Sequence, residues 1–162
     1  MQIAILCPGP SLSQLVSVPI CDASIAVNRA ATRFACDWWA VLDAPLISAI
    51  DDLIQGEPQL FTRAENRRTG AVTFEDVYPF PNAARSYFTL PGAMALAARL
   101  GATSIDIYGC DWAIDQPDFD GGLPNEANRT ATRFERERQD FEQMRDWLGR
   151  QGIEVTRHGL NG

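Results

Sequence analysis

Short solid runs of apolar residues alternate along this chain with longer spaced stripes, which predicts strands and helices in turn. Ile3-Ala4-Ile5-Leu6-Cys7 is a continuous apolar run stopped by Pro8-Gly9-Pro10, the pattern of a buried parallel strand closed by a tight turn. Behind that turn, Leu12 and Leu15 begin a helical spacing with Ser11 at its start. Residues 23–28 predict a second strand ending on Asn28, followed by a short helix through Phe34. A third strand over 37–43 ends on Asp43, and Pro45 then opens a helix striped by Leu46, Ile47, Ile50, Leu53 and Ile54. Gln59–Thr62 is a short fourth strand.

The pattern loosens over about 65–88, where Asn66, Gly70, Pro79 and Pro81 interrupt it, and a hairpin is expected about Arg68-Thr69-Gly70. Order returns at Thr89 with an alanine-rich helix that has Pro91 near its first turn and Gly101 after its end. Ser104–Tyr108 predicts a strand closing on Gly109-Cys110-Asp111, and 113–127 is a polar loop. A long amphipathic helix from about Thr130 to Arg150 stops at Gly152; a last strand, 153–156, leads to a tail carrying His158. Strands alternating with helices imply an α/β fold: a three-layer α/β/α sandwich around a mainly parallel sheet of about six strands, with right-handed crossovers. The 162 residues are expected to form one domain.

Composition narrows the chemistry. A net charge of -7 argues against broad binding to nucleic acid or anionic membrane. No run is long enough to span a bilayer and no basic-then-apolar leader stands at the start, so the expected compartment is the cytoplasm. All 14 basic residues are arginine, which excludes a P-loop lysine, a Schiff base and a lysine general base. Cys7, Cys21, Cys36 and Cys110 are too scattered for a zinc site of ordinary spacing and are expected to be reduced thiols.

In open parallel sheets the ligand lies outside the carboxyl ends of the strands. Those ends carry Gly9, Pro10 and Ser11, then Asn28, Asp43, Gly109 and Asp111. A strand, a glycine turn and a helix N-terminus in succession would aim backbone N–H groups at one spot suited to a phosphate, so Gly9-Pro10-Ser11 is the expected phosphate cradle. The plain alternative is an ordinary β-α turn.

Several short motifs, in order, carry a family resemblance. Cys7-Pro8-Gly9-Pro10-Ser11-Leu12 resembles the Gly-x-Gly-Pro-Ser-Leu turn of a superfamily of Rossmann-like transferases. Its members include 6-hydroxymethylpterin pyrophosphokinase-like proteins, motility accessory factors and CMP-sialic-acid sialyltransferases. Val27-Asn28 is similar to the strand-end Asn of the sialyltransferases; the 37–43 strand, Pro91-Gly92-Ala93 with the helix behind it, and Gly109-Cys110-Asp111 are similar to the pyrophosphokinase-like group. The likeness spans roughly residues 1–115. Pro8 departs from the Gly or Asn usual there, and the chain lacks an obvious acceptor lid, as a reduced phage- or mobile-element version would.

The resemblance implies a nucleotide or nucleotide-sugar donor, with glycosyl or pyrophosphoryl transfer as the reaction. Its nucleotide contacts would be Gly9, Pro10, Ser11, Asn28, Asp43 and Gly109. Asp43 and Asp111 would bind ribose hydroxyls or Mg²⁺. Asp118-Phe119-Asp120 has the Asp-x-Asp form of metal-dependent glycosyltransferases, and the alternative reading is a solvated acidic turn. His158 is the single histidine and Asp111 a strand-end acid, so these two are the catalytic candidates. The arginines at 129, 133, 136 and 138 are candidate phosphate clamps, or one face of i, i+4 ion pairs. Trp112 is the one tryptophan considered for stacking on a base. The competing reading is a non-catalytic nucleotide-binding or scaffold protein that keeps the fold.

Overall fold

The computed structural model describes residues 1–80, 88–121 and 130–159. The expected irregular segment therefore lies partly outside the described residues, as do the end of the polar loop with Arg129 and the last three residues.

Seven parallel strands form one sheet in the order β5-β4-β3-β2-β1-β6-β7. They are β1 (Gln2–Leu6), β2 (Ala23–Val27), β3 (Trp38–Ala40), β4 (Gln59–Thr62), β5 (Val72–Thr73), β6 (Ser104–Tyr108) and β7 (Glu154–His158). Among the described residues the α-helices are α1 (Ala44–Ile50), α2 (Phe74–Val77), α3 (Thr89–Arg99) and α4 (Ala131–Arg150). The order reverses at β1, whose neighbours are β2 and β6, so the crevice of a doubly wound sheet is expected at the carboxyl end of β1.

Alternation within each strand divides the core between two faces. Ile3 and Ile5 join Ile105, Ile107, Met94, Phe141 and their neighbours beneath α3 and α4. Leu6, Ala26 and Trp39 face the other way, onto α1 and two short 3-10 turns. That second layer is thin. The chain between β1 and β2 makes only one 3-10 turn, Pro10–Gln14, where the spacing of Leu12 and Leu15 suggested a helix. Val16, Val18 and Pro19 follow directly; two β-branched residues and a proline disfavour continuation.

Two further expectations change. Val72–Thr73 pairs parallel to β4, so the turn at Arg68-Thr69-Gly70 belongs to a crossover and not to a hairpin. This pair is also the seventh strand, too short to stand out as an apolar run. The last strand runs on to His158, because Arg157 and His158 continue the register with Ile107 and Tyr108. Elsewhere the sequence pattern and the structure agree closely: α3 begins at Thr89, and Thr130 caps α4 by accepting the Arg133 N–H on its hydroxyl at 3.1 Å.

Candidate functional site

The carboxyl ends of β1 and β6 are joined tightly. The Cys7 N–H donates to the Tyr108 carbonyl at 2.7 Å and the Gly9 N–H to the Gly109 carbonyl at 2.8 Å. Only glycine allows this approach: a Cβ on Gly9 would stand 2.2 Å from the Gly109 oxygen, and one on Gly109 2.1 Å from the Cys7 oxygen. Asp111, 1% exposed, completes the junction by accepting the Ser11 N–H at 2.7 Å and the Ser11 hydroxyl at 2.6 Å.

This closes the expected phosphate cradle from within. Pro8 and Pro10 have no N–H, the Gly9 and Ser11 N–H groups are bonded as above, and the Leu12 N–H donates to the Gly9 carbonyl at 3.1 Å. The turn thus serves its own carboxylate in place of a bound anion.

A cleft of about 690 Å³ opens beside it, between the strand ends and the first turns of α3 and α4. Gly9, Pro10, Asn28, Asp43, Gly109, Asp111 and Asp118 line it; Ser11, Asp120 and His158 do not. Residues that the sequence did not single out complete the walls: Phe88 and Thr89 at the start of α3, Arg29 beside Asn28, and Glu137 one turn along α4 from Arg133.

Trp112 (φ 47°) and Asn28 (φ 51°) both line the cleft with left-handed backbone, an outlier for the bulky Trp112 and commoner for Asn28. The Asn28 backbone carbonyl accepts the Trp39 indole N–H at 3.1 Å, which holds the strained turn. Its side-chain oxygen is buried and, among the described residues, has no hydrogen-bond partner. Such a group ordinarily finds one, so an unmet acceptor at a cleft wall is a place for a ligand donor.

The charges are arranged in pairs. Arg29 grips both acids of the Asp-x-Asp segment, reaching Asp118 at 2.6 Å and Asp120 at 3.0 Å. A guanidinium therefore occupies the position expected for a cation, and among the described residues no group of three or more His, Cys, Asp or Glu side chains could hold a metal. The expected Mg²⁺ site is not supported. On α4, the Arg133 Nε lies 3.3 Å from Glu137, and its guanidinium covers the Phe88 ring at 5.1 Å. Burial pushes the Glu137 carboxyl above the usual carboxylate range, and the Arg133 charge only partly opposes it.

His158 ends β7, where it stacks on Tyr108 with ring centres 4.6 Å apart and sits 2.8 Å from Asp106. Burial pushes Asp106 upward, but hydrogen bonds from His158 and Gln2 and the His158 charge outweigh it, leaving the carboxyl below its ordinary value. Trp112 is likewise engaged: the guanidiniums of Arg138 and Arg157 lie 4.9 and 4.7 Å from its ring centre, and Phe141 meets its edge. With two cations on the ring, it is not the open platform expected for a nucleobase. All four cysteines are unpaired thiols. The side-chain hydrogen bond between Cys7 and Cys110, followed by burial, pushes the Cys7 thiol up.

Fold and cleft together define a Rossmann-like α/β protein with a crevice at the strand-order reversal. The chain is similar in structure to the sialyltransferase CST-II in complex with a trisaccharide acceptor and CMP: TM-score 0.65, 15% identity, covering 97% of this chain and 80% of that one. It is also similar to the sialyltransferase CstII from Campylobacter jejuni in complex with a substrate analogue, CMP-3FNeuAc: TM-score 0.62, 11% identity, covering 96% and 79%. No family model matches the chain, and no curated protein matches it by sequence. At these identities the likeness establishes a shared fold. The sialyltransferase side of the resemblance read from the sequence has this structural counterpart, and the pyrophosphokinase-like side has none in these comparisons. No helix among the described residues is long and apolar enough to cross a membrane.

Proposed function

We propose that the cleft binds a nucleotide and that the protein transfers a glycosyl group from a nucleotide-sugar donor. The observation that carries this reading is Asn28, with its left-handed backbone and an unpartnered amide oxygen at the cleft wall. An exocyclic amine of a base or a ribose hydroxyl would satisfy that oxygen. The two similar sialyltransferase structures are complexes with CMP and with the substrate analogue CMP-3FNeuAc, which favours a cytidine nucleotide as the first to test.

The phosphate falls elsewhere than the sequence suggested. With the Gly9 and Ser11 N–H groups engaged and Arg29 held by Asp118 and Asp120, the groups offered to the phosphate are Arg133 and the first turns of α3 and α4. The N–H groups of Thr89 and Leu90 begin α3, and Arg133 stands in the first turn of α4. Charge on a departing phosphate would be stabilised there without a metal ion.

In the transfer, an acceptor hydroxyl oxygen bonds to the anomeric carbon as the bond from that carbon to the phosphate oxygen breaks. The bonding pair leaves with the phosphate, and the hydroxyl proton passes to a carboxylate. Glu137 is the acid suited to receive it, because burial raises its basicity and it faces the cleft beside Arg133. Asp111 already accepts two hydrogen bonds from Ser11 and serves to hold the junction.

Titration calorimetry with CMP, CDP, UDP, ATP and GTP, each with Mg²⁺ and with EDTA, tests the reading. Binding of CMP that is indifferent to EDTA is expected. Absence of binding by every nucleotide, or binding that needs Mg²⁺, would overturn it.

A further inference from the structure

The cysteines divide between the two ends of the sheet. Cys21 and Cys36 come just before β2 and β3, at the amino ends, whereas Cys7 and Cys110 follow β1 and β6, at the carboxyl ends. Strand alternation and one glycine bring the second pair together. Ile3 and Ile5 of β1 face α3 and α4, and Cys7 continues that alternation into the same buried cluster. On β6, Ile105 and Ile107 face the same way, which would make residue 109 the next in line. Gly109, with its left-handed φ of 73°, breaks the alternation, and Cys110 takes the place beside Cys7 in the cluster.

The two backbones are in close contact here. The register of Leu6 with Tyr108 sets Cys7 opposite Gly109, and the Cys7 N–H bonds the Tyr108 carbonyl at 2.7 Å. Neighbouring strands lie about 4.8 Å apart and a disulfide accepts Cα separations of about 4.4–6.8 Å, so a residue one step past the opposite position is within reach. The side chains already meet, for a hydrogen bond joins the Cys7 and Cys110 thiols. Cys110 is also held in place along its backbone. The Gly109 carbonyl before it accepts the Gly9 N–H, its own carbonyl accepts Arg157 at 2.7 Å, and Asp111 after it grips Ser11. Both cysteines are otherwise buried but line the cleft, which gives a small oxidant a route to them. The other two thiols are engaged elsewhere: Cys36 bonds Ser24 and Cys21 bonds the Ala4 backbone.

We propose that Cys7 and Cys110 are a redox pair, which a peroxide oxidises to an intramolecular disulfide tying the end of β1 to the end of β6 beside the cleft. The Cys110 sulfur attacks one peroxide oxygen, the O–O bond breaks, and the departing oxygen leaves as water with the Cys110 proton. Cys110 is then a sulfenic acid. The Cys7 sulfur attacks the Cys110 sulfur and displaces its hydroxyl, which leaves as a second water with the Cys7 proton. Two thiols give up two protons and two electrons, and one hydrogen peroxide becomes two waters. The order of the steps follows from the surroundings. The hydrogen bond to Cys110, followed by burial, pushes the Cys7 thiol up, so Cys7 keeps its proton until the second step. The cross-link closes a loop of roughly 100 residues and so constrains the unfolded chain far more than the folded one.

The full chain carrying both Cys21→Ser and Cys36→Ser keeps only these two cysteines and tests the pair. After treatment with hydrogen peroxide and denaturation, neither thiol should take up iodoacetamide. A non-reducing tryptic digest should then give one cross-linked pair of peptides holding residues 7 and 110, two hydrogens lighter than their sum. Dithiothreitol should restore both thiols. The oxidised protein should melt several degrees above the reduced one, and Cys7→Ala in the same background should abolish both the cross-link and this gain. The same digest of the parent chain should contain the same cross-link, a measurement that does not depend on how well the double variant folds. Two thiols still open to alkylation after peroxide overturn the proposal. So does oxygen added to either cysteine without a cross-link, or a disulfide that forms only between chains.

Discussion

The Ser11 hydroxyl and the Asp111 carboxylate meet at 2.6 Å across the ends of β1 and β6, and the Ser11 N–H reaches the same carboxylate at 2.7 Å. One hundred residues apart in sequence, they join the two central strands where the cleft begins. Both are buried, so the pair replaces water that the carboxylate would otherwise require. Ser11→Ala removes a hydrogen bond to a charged group and is expected to lower unfolding stability by about 1–3 kcal/mol in urea titration. A variant as stable as the parent would show that the contact contributes nothing.

Gly9 tests the same junction from the backbone. Its Cβ would stand 2.2 Å from the Gly109 carbonyl oxygen, so Gly9→Ala should unfold at markedly lower urea concentration whether or not a ligand is present. Gly149 in α4 is the control, since a Cβ there meets nothing within 4 Å. Gly149→Ala should raise stability by roughly 0.5–1 kcal/mol through helix propensity. Equal effects of the two substitutions would remove the close-approach argument.

Asn28 separates backbone strain from ligand contact. Asn28→Gly keeps a residue at ease with φ of 51° and deletes the amide. Folding stability should hold or rise, while nucleotide affinity falls by about tenfold or more, ~1.4 kcal/mol. Unchanged affinity in calorimetry would show that the unpartnered oxygen is not a ligand contact.

Glu137 makes stability depend on pH with a definite sign. Burial raises its folded value above the ordinary carboxylate value of 4.5, so the folded state holds this proton more tightly than the unfolded chain. Its contribution is full below the unfolded value and declines as pH rises through the folded one. Glu137→Gln cannot ionise. The difference in stability between Gln and Glu forms should therefore shift in favour of Gln as pH rises from 4 toward neutrality, about the range set by an ordinary carboxyl and a raised one. Parallel curves in a pH series of urea titrations would refute the assignment. If Glu137 also receives the acceptor's proton, the same substitution should remove the acidic limb of the activity profile.

Most of the architecture was legible in the amino-acid order. Apolar runs closed by Gly-Pro, Asn or Asp marked the strands, and the stripe behind Pro45, the alanine-rich segment from Thr89 and the amphipathic pattern from about Thr130 marked the helices. These signals are local, arising from periodicity, turn chemistry and capping within a few residues of one another. β5 escaped because two residues carry no periodicity, and the helix expected behind Ser11 failed because the residues after it resist helical backbone.

The site was legible only as a set of strand ends. Sequence alone brought Asn28, Asp43, Gly109 and Asp111 to one edge, since strand order and the crevice rule require no knowledge of side-chain contacts. It did not reveal which of them are already bonded to each other. Ser11 with Asp111, and Arg29 with Asp118 and Asp120, are contacts between residues about a hundred apart, and they convert an expected phosphate cradle and an expected metal site into internal locks. Arg133 and Glu137 show the same limit from the other side: as neighbours at i and i+4 they read as one more surface pair. Only the packing of α4 against the strand ends makes them part of the cleft and raises the Glu137 carboxyl, because desolvation is set by what surrounds a group in space and leaves no mark on the sequence around it.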